Sequence, residues 1–303
     1  MNLNTCSVTG SGKHLIMAFA ILGFCLSATT VQAEQVSRTV FVHLFEWRWD
    51  DIAKECETFL GPRGFAAVQV SPPNEHRLVP GYPWWERYQP VSYQLVSRSG
   101  NRQQFEDMVK RCKTAGVKIY VDAVINHMTG PSEANDFLFG KGIAGSDYIY
   151  YAYPPYPNQT FFHSCHDEIL PSDYGNRWKV QNCDLAKLAD LDTGSAQVQN
   201  TIAAYLNDLA GVGVAGFRID AAKHIPKEIC QRFGFSVFRF AQSIGKDNFL
   251  VVGEITDNLM SMNYLEDAKV LRRGPVLDPN LRFAAAGNPV SSAANATFQP
   301  SPA

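Results

Sequence analysis

The chain has 303 residues, 27 lysines and arginines against 29 aspartates and glutamates, a formal net charge of -2 and 46% hydrophobic residues. That is the composition of an ordinary globular protein, and it excludes a basic surface built to hold nucleic acid.

At the N-terminus, Lys13 and His14 precede an apolar run over residues 15–28, which Val31-Gln32-Ala33 closes. A positive flank, an apolar stretch and a small-residue site in that order read as a signal peptide over residues 1–33, and the run is too short to span a membrane. The expected product is secreted and extracellular, begins near Glu34 and has no membrane partner. Cys25 hints at a lipid anchor, but the bulky Phe24 before it argues against one. Of the seven cysteines, Cys6 and Cys25 leave with this leader, while Cys56, Cys112, Cys165, Cys183 and Cys230 remain. In an oxidising compartment two pairs and one leftover is the natural count, which sequence alone does not assign, and no metal-type cysteine pair is visible.

Apolar, β-branched runs at residues 39–44, 65–70, 117–125, 212–219 and 249–252 read as strands. Between them, Trp49, Ile52, Ala53, Cys56, Phe59 and Leu60 fall on one helical face. Phe105, Met108, Val109 and Cys112 make a second such face, and Val198, Ile202, Leu206 and Leu209 a third. Strands alternating with helices imply a parallel α/β sheet, which a barrel and a doubly wound sheet both satisfy. No glycine-rich phosphate loop follows the first strand, and polar residues gather instead at the carboxyl ends of successive strands, where barrels build their active sites. The predicted fold is α/β: a (β/α)8 TIM barrel, incomplete with about five or six strands. Its first part covers residues 34–126 and its second residues 191–282. Residues 127–190 break the rhythm, being rich in Tyr, Asp, Asn, Gly and Pro with no clear helix, and are too long for a loop. They read as a small inserted domain after the third strand, held by a bridge from Cys165 to Cys183.

The chemistry concentrates where these strands end. Residues 216–224 run from apolar into Arg218, Asp220, Lys223 and His224. Arg218 and Asp220 are two apart and share one face, so the cation keeps the carboxylate ionised, as a nucleophile requires. A structural ion pair at a strand end is the equal alternative from these residues alone. Asp122, Asn126 and His127 end the third strand, and Glu254 ends the fifth.

Val121 to His127, Arg218 to His224 and Val252 to Glu254 resemble the first three signature regions of the α-amylase superfamily, retaining hydrolases of α-1,4-glucans. The likeness runs from about Val40 to Glu254. His43-Leu44-Phe45-Glu46-Trp47, Gln69-Val70-Ser71-Pro72-Pro73 and residues 84–90 are similar to the animal-type subgroup, which bacteria also carry, and argue against a transglycosylase or exo-acting relative. The resemblance implies Asp220 as nucleophile and Glu254 as general acid/base of a secreted, endo-acting hydrolase of starch, glycogen and maltooligosaccharides, working as a monomer. Retention needs the two carboxyl groups about 5 to 5.5 Å apart, one ionised and one protonated. Glu254 follows an apolar strand with no adjacent cation, which suits a raised pKa. Asp122 is implied to support the nucleophile and Arg218.

The resemblance further implies a structural calcium held by Asn126, Asp190 and the backbone carbonyls of Gln181 and His224, clamping the inserted domain to the barrel. Read without it, Asn126 and Asp190 are caps or turn residues. Trp84, Trp85 and Tyr88 are implied to line the substrate cleft, with His127, Tyr174, Lys223 and His224 contacting sugar and Gln89 a further candidate. In chloride-dependent members the arginine at the position of Arg218 binds the anion. Cys56 and Cys112 match the family's remaining pairing.

The departure is at the end. The family's third carboxylate, in a His-Asp signature after the seventh strand, has no counterpart after Glu254, nor does its C-terminal antiparallel β domain. Residues 276–283 read as a remnant of the sixth strand, which Pro279 weakens. Residues 283–303 form an uncharged low-complexity tail. The alternative expectation is therefore a truncated, inactive amylase remnant or partial gene product.

Overall fold

The computed structural model describes residues 38–131, 139–226, 228–229 and 250–253. The leader, Cys230, Glu254, the remnant at 276–283 and the tail lie outside the described residues. Among the described residues no helix is long and apolar enough to cross a membrane.

Five strands form one sheet: β1 (Phe41–Leu44), β2 (Ala67–Val70), β3 (Lys118–Ala123), β6 (Gly216–Ile219) and β7 (Leu250–Gly253), in that spatial order and every pair parallel. The order never doubles back, so no switch point of the doubly wound kind exists among them, and the progression is that of a barrel wall. Val68, Val70, Ile119, Val121 and Phe217, which the register places on one face of the sheet, are buried in the main core.

Helices α1 (Trp49–Glu55) and α2 (Arg102–Thr114) follow β1 and β2, and α4 (Ala196–Val212) precedes β6. Asn101 and Gln104 form a reciprocal capping box that starts α2, while Arg111 and Lys113 sit in its last turn, opposite in sign to the helix dipole there. The predicted faces are buried with one exception. After α1 the chain continues as a π-helical turn over Cys56–Leu60, closed by Gly61 N–H donating to Cys56 O at 2.9 Å. Cys56 and Leu60 stay buried, but the wider turn swings Phe59 outward, where it is 42% exposed under Arg63. The strand expected over 212–219 is also corrected: Val212 is the last residue of α4, Gly213 takes a φ of 129° to end it, and the strand starts at Gly216.

The inserted segment contains a hairpin of β4 (Phe139–Lys141) and β5 (Asp147–Ile149) and, against expectation, a helix, α3 (Arg177–Asn182). At six residues α3 is too short to print a periodic pattern, and Asn176 starts it by accepting from Lys179 N–H. The bridge Cys165–Cys183 closes 18 residues, worth about 3 kcal/mol in the chain-entropy model, and Cys56–Cys112 ties α1's continuation to α2. Glu75, fully buried after β2, holds the segment to the barrel: its carboxylate accepts from Ser92 Oγ at 2.5 Å and from the backbone N–H groups of Ala144 and Ser146 at 3.0 and 3.2 Å. Stacked Tyr93 and Tyr205, 4.6 Å between centroids, meet Tyr156 of the insertion beside them.

Candidate active site

Parallel register decides which charged groups meet. Asp122 on β3 lies opposite Arg218 on β6, one residue before each strand ends. Arg218 Nη1 donates to Asp122 Oδ1 and, at 3.0 Å, to Asp220 Oδ1, so one guanidinium bridges two carboxylates from neighbouring strands. Asp122 is fully buried and Asp220 nearly so, at 7% exposure. A cation between them offsets a burial cost that either carboxylate would otherwise meet alone. Just past Asp220, Ala221 adopts a left-handed φ of 49°, which turns the chain into the short helix Ala222–His224.

Tyr88 completes the cluster. Its hydroxyl donates to Asp122 Oδ2 at 2.9 Å, and its carbonyl is 3.0 Å from His127 Nε2. Burial first, then the charge of Asp122, pushes the phenol far above its ordinary range, so it remains a donor. The sequence suggested Tyr88 as a flat surface for sugar; the bond to Asp122 joins partners 34 residues apart and leaves no local trace. His43 on β1 was likewise passed over as part of a motif. Although part of the ring stays exposed, loss of hydration on its covered side and then the Arg218 charge hold its imidazole below the ordinary value. Alternation along β1, which puts His43 on one face and the buried Leu44 on the other, was the signal that could have found it.

Among the predicted sugar-contacting residues, Trp84 is 56% exposed, with Tyr88 at 5.9 Å, and Trp85 is half-buried. Lys223 Nζ sits 4.3 Å from the centre of the Tyr174 ring, and His224 packs edge-on against the same ring, so three predicted residues from insertion and barrel come together. His127 is buried. Gln89 Oε1 accepts from Arg77 Nη1 at 2.9 Å and from Gly130 N–H at 3.0 Å, which commits that oxygen to fixing the start of the insertion.

Of the predicted calcium ligands, Asn126 and Asp190 are in direct contact, and His224 bonds the residue before Gln181. Asn126 Nδ2 donates to Asp190 Oδ1 at 3.1 Å, and His224 Nδ1 lies 2.9 Å from the carbonyl of Val180, which precedes Gln181. Burial pushes Asp190 up to about 7, with His163 at 2.6 Å drawing it partly back. No group of three His, Cys, Asp or Glu side chains suited to a metal occurs among the described residues. The donors offered are instead carboxylate, amide and carbonyl oxygens, which suit a hard cation and no transition metal. Asp190 gains from such a cation because its charge is otherwise disfavoured by burial.

Of the catalytic pair, Asp220 is in place, while Glu254 lies outside the described residues. The residue before it, Gly253, is paired with Ile219, the residue before Asp220.

Residues 64–258 match the family model described as the alpha-amylase catalytic domain. An alpha-amylase of Thermomonospora curvata is 54% identical over 219 residues, covering 69% of this chain and 35% of that protein. An alpha-amylase-related protein of Drosophila ananassae is 50% identical over 210 residues, covering 66% of this chain and 41% of that one. The crystal structure of wild-type alpha-amylase I from Eisenia fetida superposes with a TM-score of 0.66 at 41% identity, covering 73% of this chain and 45% of that chain. A variant of that enzyme, solved with maltohexaose, gives the same values. The chain thus spans less than half the length of each of these relatives.

Proposed function

The chain belongs to the α-amylase family, and on that premise we propose that it serves as a secreted, endo-acting hydrolase of α-1,4-glucosidic bonds in starch and related glucans, with retention of configuration. The observation that carries the reading is the Asp122, Arg218 and Asp220 cluster at the ends of adjacent parallel strands.

In this reading the Asp220 carboxylate, kept ionised by Arg218, attacks the anomeric carbon while the bond to the leaving glucan oxygen breaks, and Glu254 gives that oxygen its proton. A water then loses a proton to Glu254, attacks the same carbon and releases Asp220, so two inversions return the original configuration. Asp122, held by Tyr88, fixes Arg218 so that the guanidinium meets Asp220 without reorganising as charge leaves the nucleophile. The maltohexaose bound by the Eisenia fetida relative supports an oligosaccharide of glucose as the ligand. Calcium, held by Asn126, Asp190 and the carbonyls of Gln181 and His224, would supply a fixed positive charge joining insertion to barrel.

Incubation of the full chain with amylose tests the proposal. Reducing ends should appear, the newly formed ends initially in the α configuration, and Asp220→Asn should lower the rate by about 10^4-fold or more while leaving maltoheptaose bound. Binding without release would favour the non-catalytic, truncated reading, and no binding at all would remove the glucan reading.

A further inference from the structure

Asp184 has no part in the chemistry above, yet its carboxylate is buried, at 1% exposure, beside one of the proposed calcium ligands. The backbone N–H of Asp190 donates to Asp184 Oδ1 at 3.3 Å. On the other oxygen, Asp184 Oδ2 accepts from the hydroxyl of Tyr151 and, at 3.2 Å, from that of Tyr150. An ionised carboxylate satisfies every one of these donors, and donors on both oxygens favour the charged form.

The group is held rigidly. Asp184 N–H donates to the carbonyl of Asp167 at 3.0 Å, and the Asp184 carbonyl accepts from Ile169 N–H at 2.9 Å. The Cys165–Cys183 bridge ends one residue earlier. Tyr151 keeps a left-handed φ of 64°, which a non-glycine residue adopts only where its surroundings impose it. Every donor to Asp184 is nonetheless neutral, and among the described residues no cation comes within ion-pair distance of it. Lys187, whose carbonyl accepts from Tyr150, turns its ammonium to Glu168 at 3.9 Å. His166 packs against the Tyr151 ring, 4.3 Å between centroids, and His163 gives its two nitrogens to Asp190 and Asp192, at 2.6 and 3.4 Å. The carboxylate of Asp184 thus lies buried next to Asp190, of like sign, with no opposite charge of its own. A buried charge in that position is costly until a cation arrives, and calcium sites gain affinity with the number of negative charges and the rigidity around them.

We propose that Asp184 sets the calcium affinity of this chain, adding a second fixed negative charge behind Asp190 and holding that residue by its backbone N–H. The inference rests on the calcium reading above and adds a residue that tunes it.

Calorimetric titration of the chelator-stripped full chain with calcium chloride, at low salt and neutral pH, is the test. Asp184→Asn keeps the size of the side chain and an acceptor for Asp190 N–H but loses the charge, and should weaken calcium about tenfold. In calcium-free buffer the same variant should melt no lower than the parent, because a repulsion has been removed. Tyr151→Phe, which takes away a hydrogen bond and leaves the charge, should bind calcium as the parent does. Undiminished calcium affinity in Asp184→Asn, an equal loss in Tyr151→Phe, or a calcium-free melt of Asp184→Asn below the parent's would overturn the role of the Asp184 charge while the calcium reading stands. A parent chain that takes up no calcium would remove both.

Discussion

Arg218 bonds the carboxylates of Asp122 and Asp220, and Asp122 in turn accepts from Arg218 and Tyr88. Charge placement in this chain repeatedly works through such shared partners, and His76 is a case where the shared environment excludes charge. The ring is fully buried, with Nδ1 2.8 Å from the carbonyl of Arg77 and Nε2 3.4 Å from the N–H of Arg98. A neutral ring with its proton on Nδ1 satisfies both. Burial lowers its pKa to about 4, with Arg87 and Arg98 adding repulsion, although Glu86 stands 3.8 Å away. Above the unfolded value of 6.5 the ring is neutral in both states and its contacts count fully. As pH falls from 6.5 towards about 4, the unfolded chain takes the proton first, and stability on the order of 3 kcal/mol drains away. Denaturant titrations of His76→Gln should show a variant weaker than the parent near neutral pH and a gap that narrows as acid is added. A gap independent of pH would contradict the assignment.

Elements carry the next lesson at the π-helical turn after α1. Gly61 closes it with an ordinary φ of -62°, but a Cβ there would stand 2.7 Å from the carbonyl oxygens of both Ala115 and Cys56. Both are backbone atoms that cannot rotate away. Gly61→Ala should therefore cost about 1–3 kcal/mol by overpacking, read as a lower denaturant midpoint with the slope unchanged; an unchanged midpoint would show that the turn relaxes freely. The sequence could not announce this turn, since the apolar spacing through Leu60 reads as one continuous helix. By contrast, the ends of β3 and β6 were legible, because Asp122 and Arg218 are charged residues set near the ends of apolar runs, and parallel pairing sets them opposite each other. The exposure of Phe59, the helix at Arg177–Asn182 and the clamp on Glu75 were not, because each depends on partners distant in sequence or on elements too short to have a period.

The whole molecule joins a barrel wall to an insertion through Glu75, the Tyr93 and Tyr156 rings, and the Asn126 and Asp190 pair. If calcium completes that last junction, the cation stabilises the folded chain by mass action, about 2.7 kcal/mol at a hundredfold excess over its dissociation constant. Thermal melts should then rise by several degrees with added calcium and fall with a chelator, and Asp190→Ala should melt low and ignore both. Equal calcium responses in parent and variant would place the ion elsewhere.

In the proposed mechanism Asp220 is the nucleophile, and strand register brings Asp122 and Arg218 together beside it. Treating the full chain with a fluorinated α-glucosyl fluoride, which forms the glycosyl-enzyme faster than water breaks it, tests this directly. Mass spectrometry of the digested protein should find one sugar on the peptide containing Asp220, and none in Asp220→Asn. A sugar carried by another carboxylate, or no adduct on a chain that nonetheless cleaves amylose, would contradict the account.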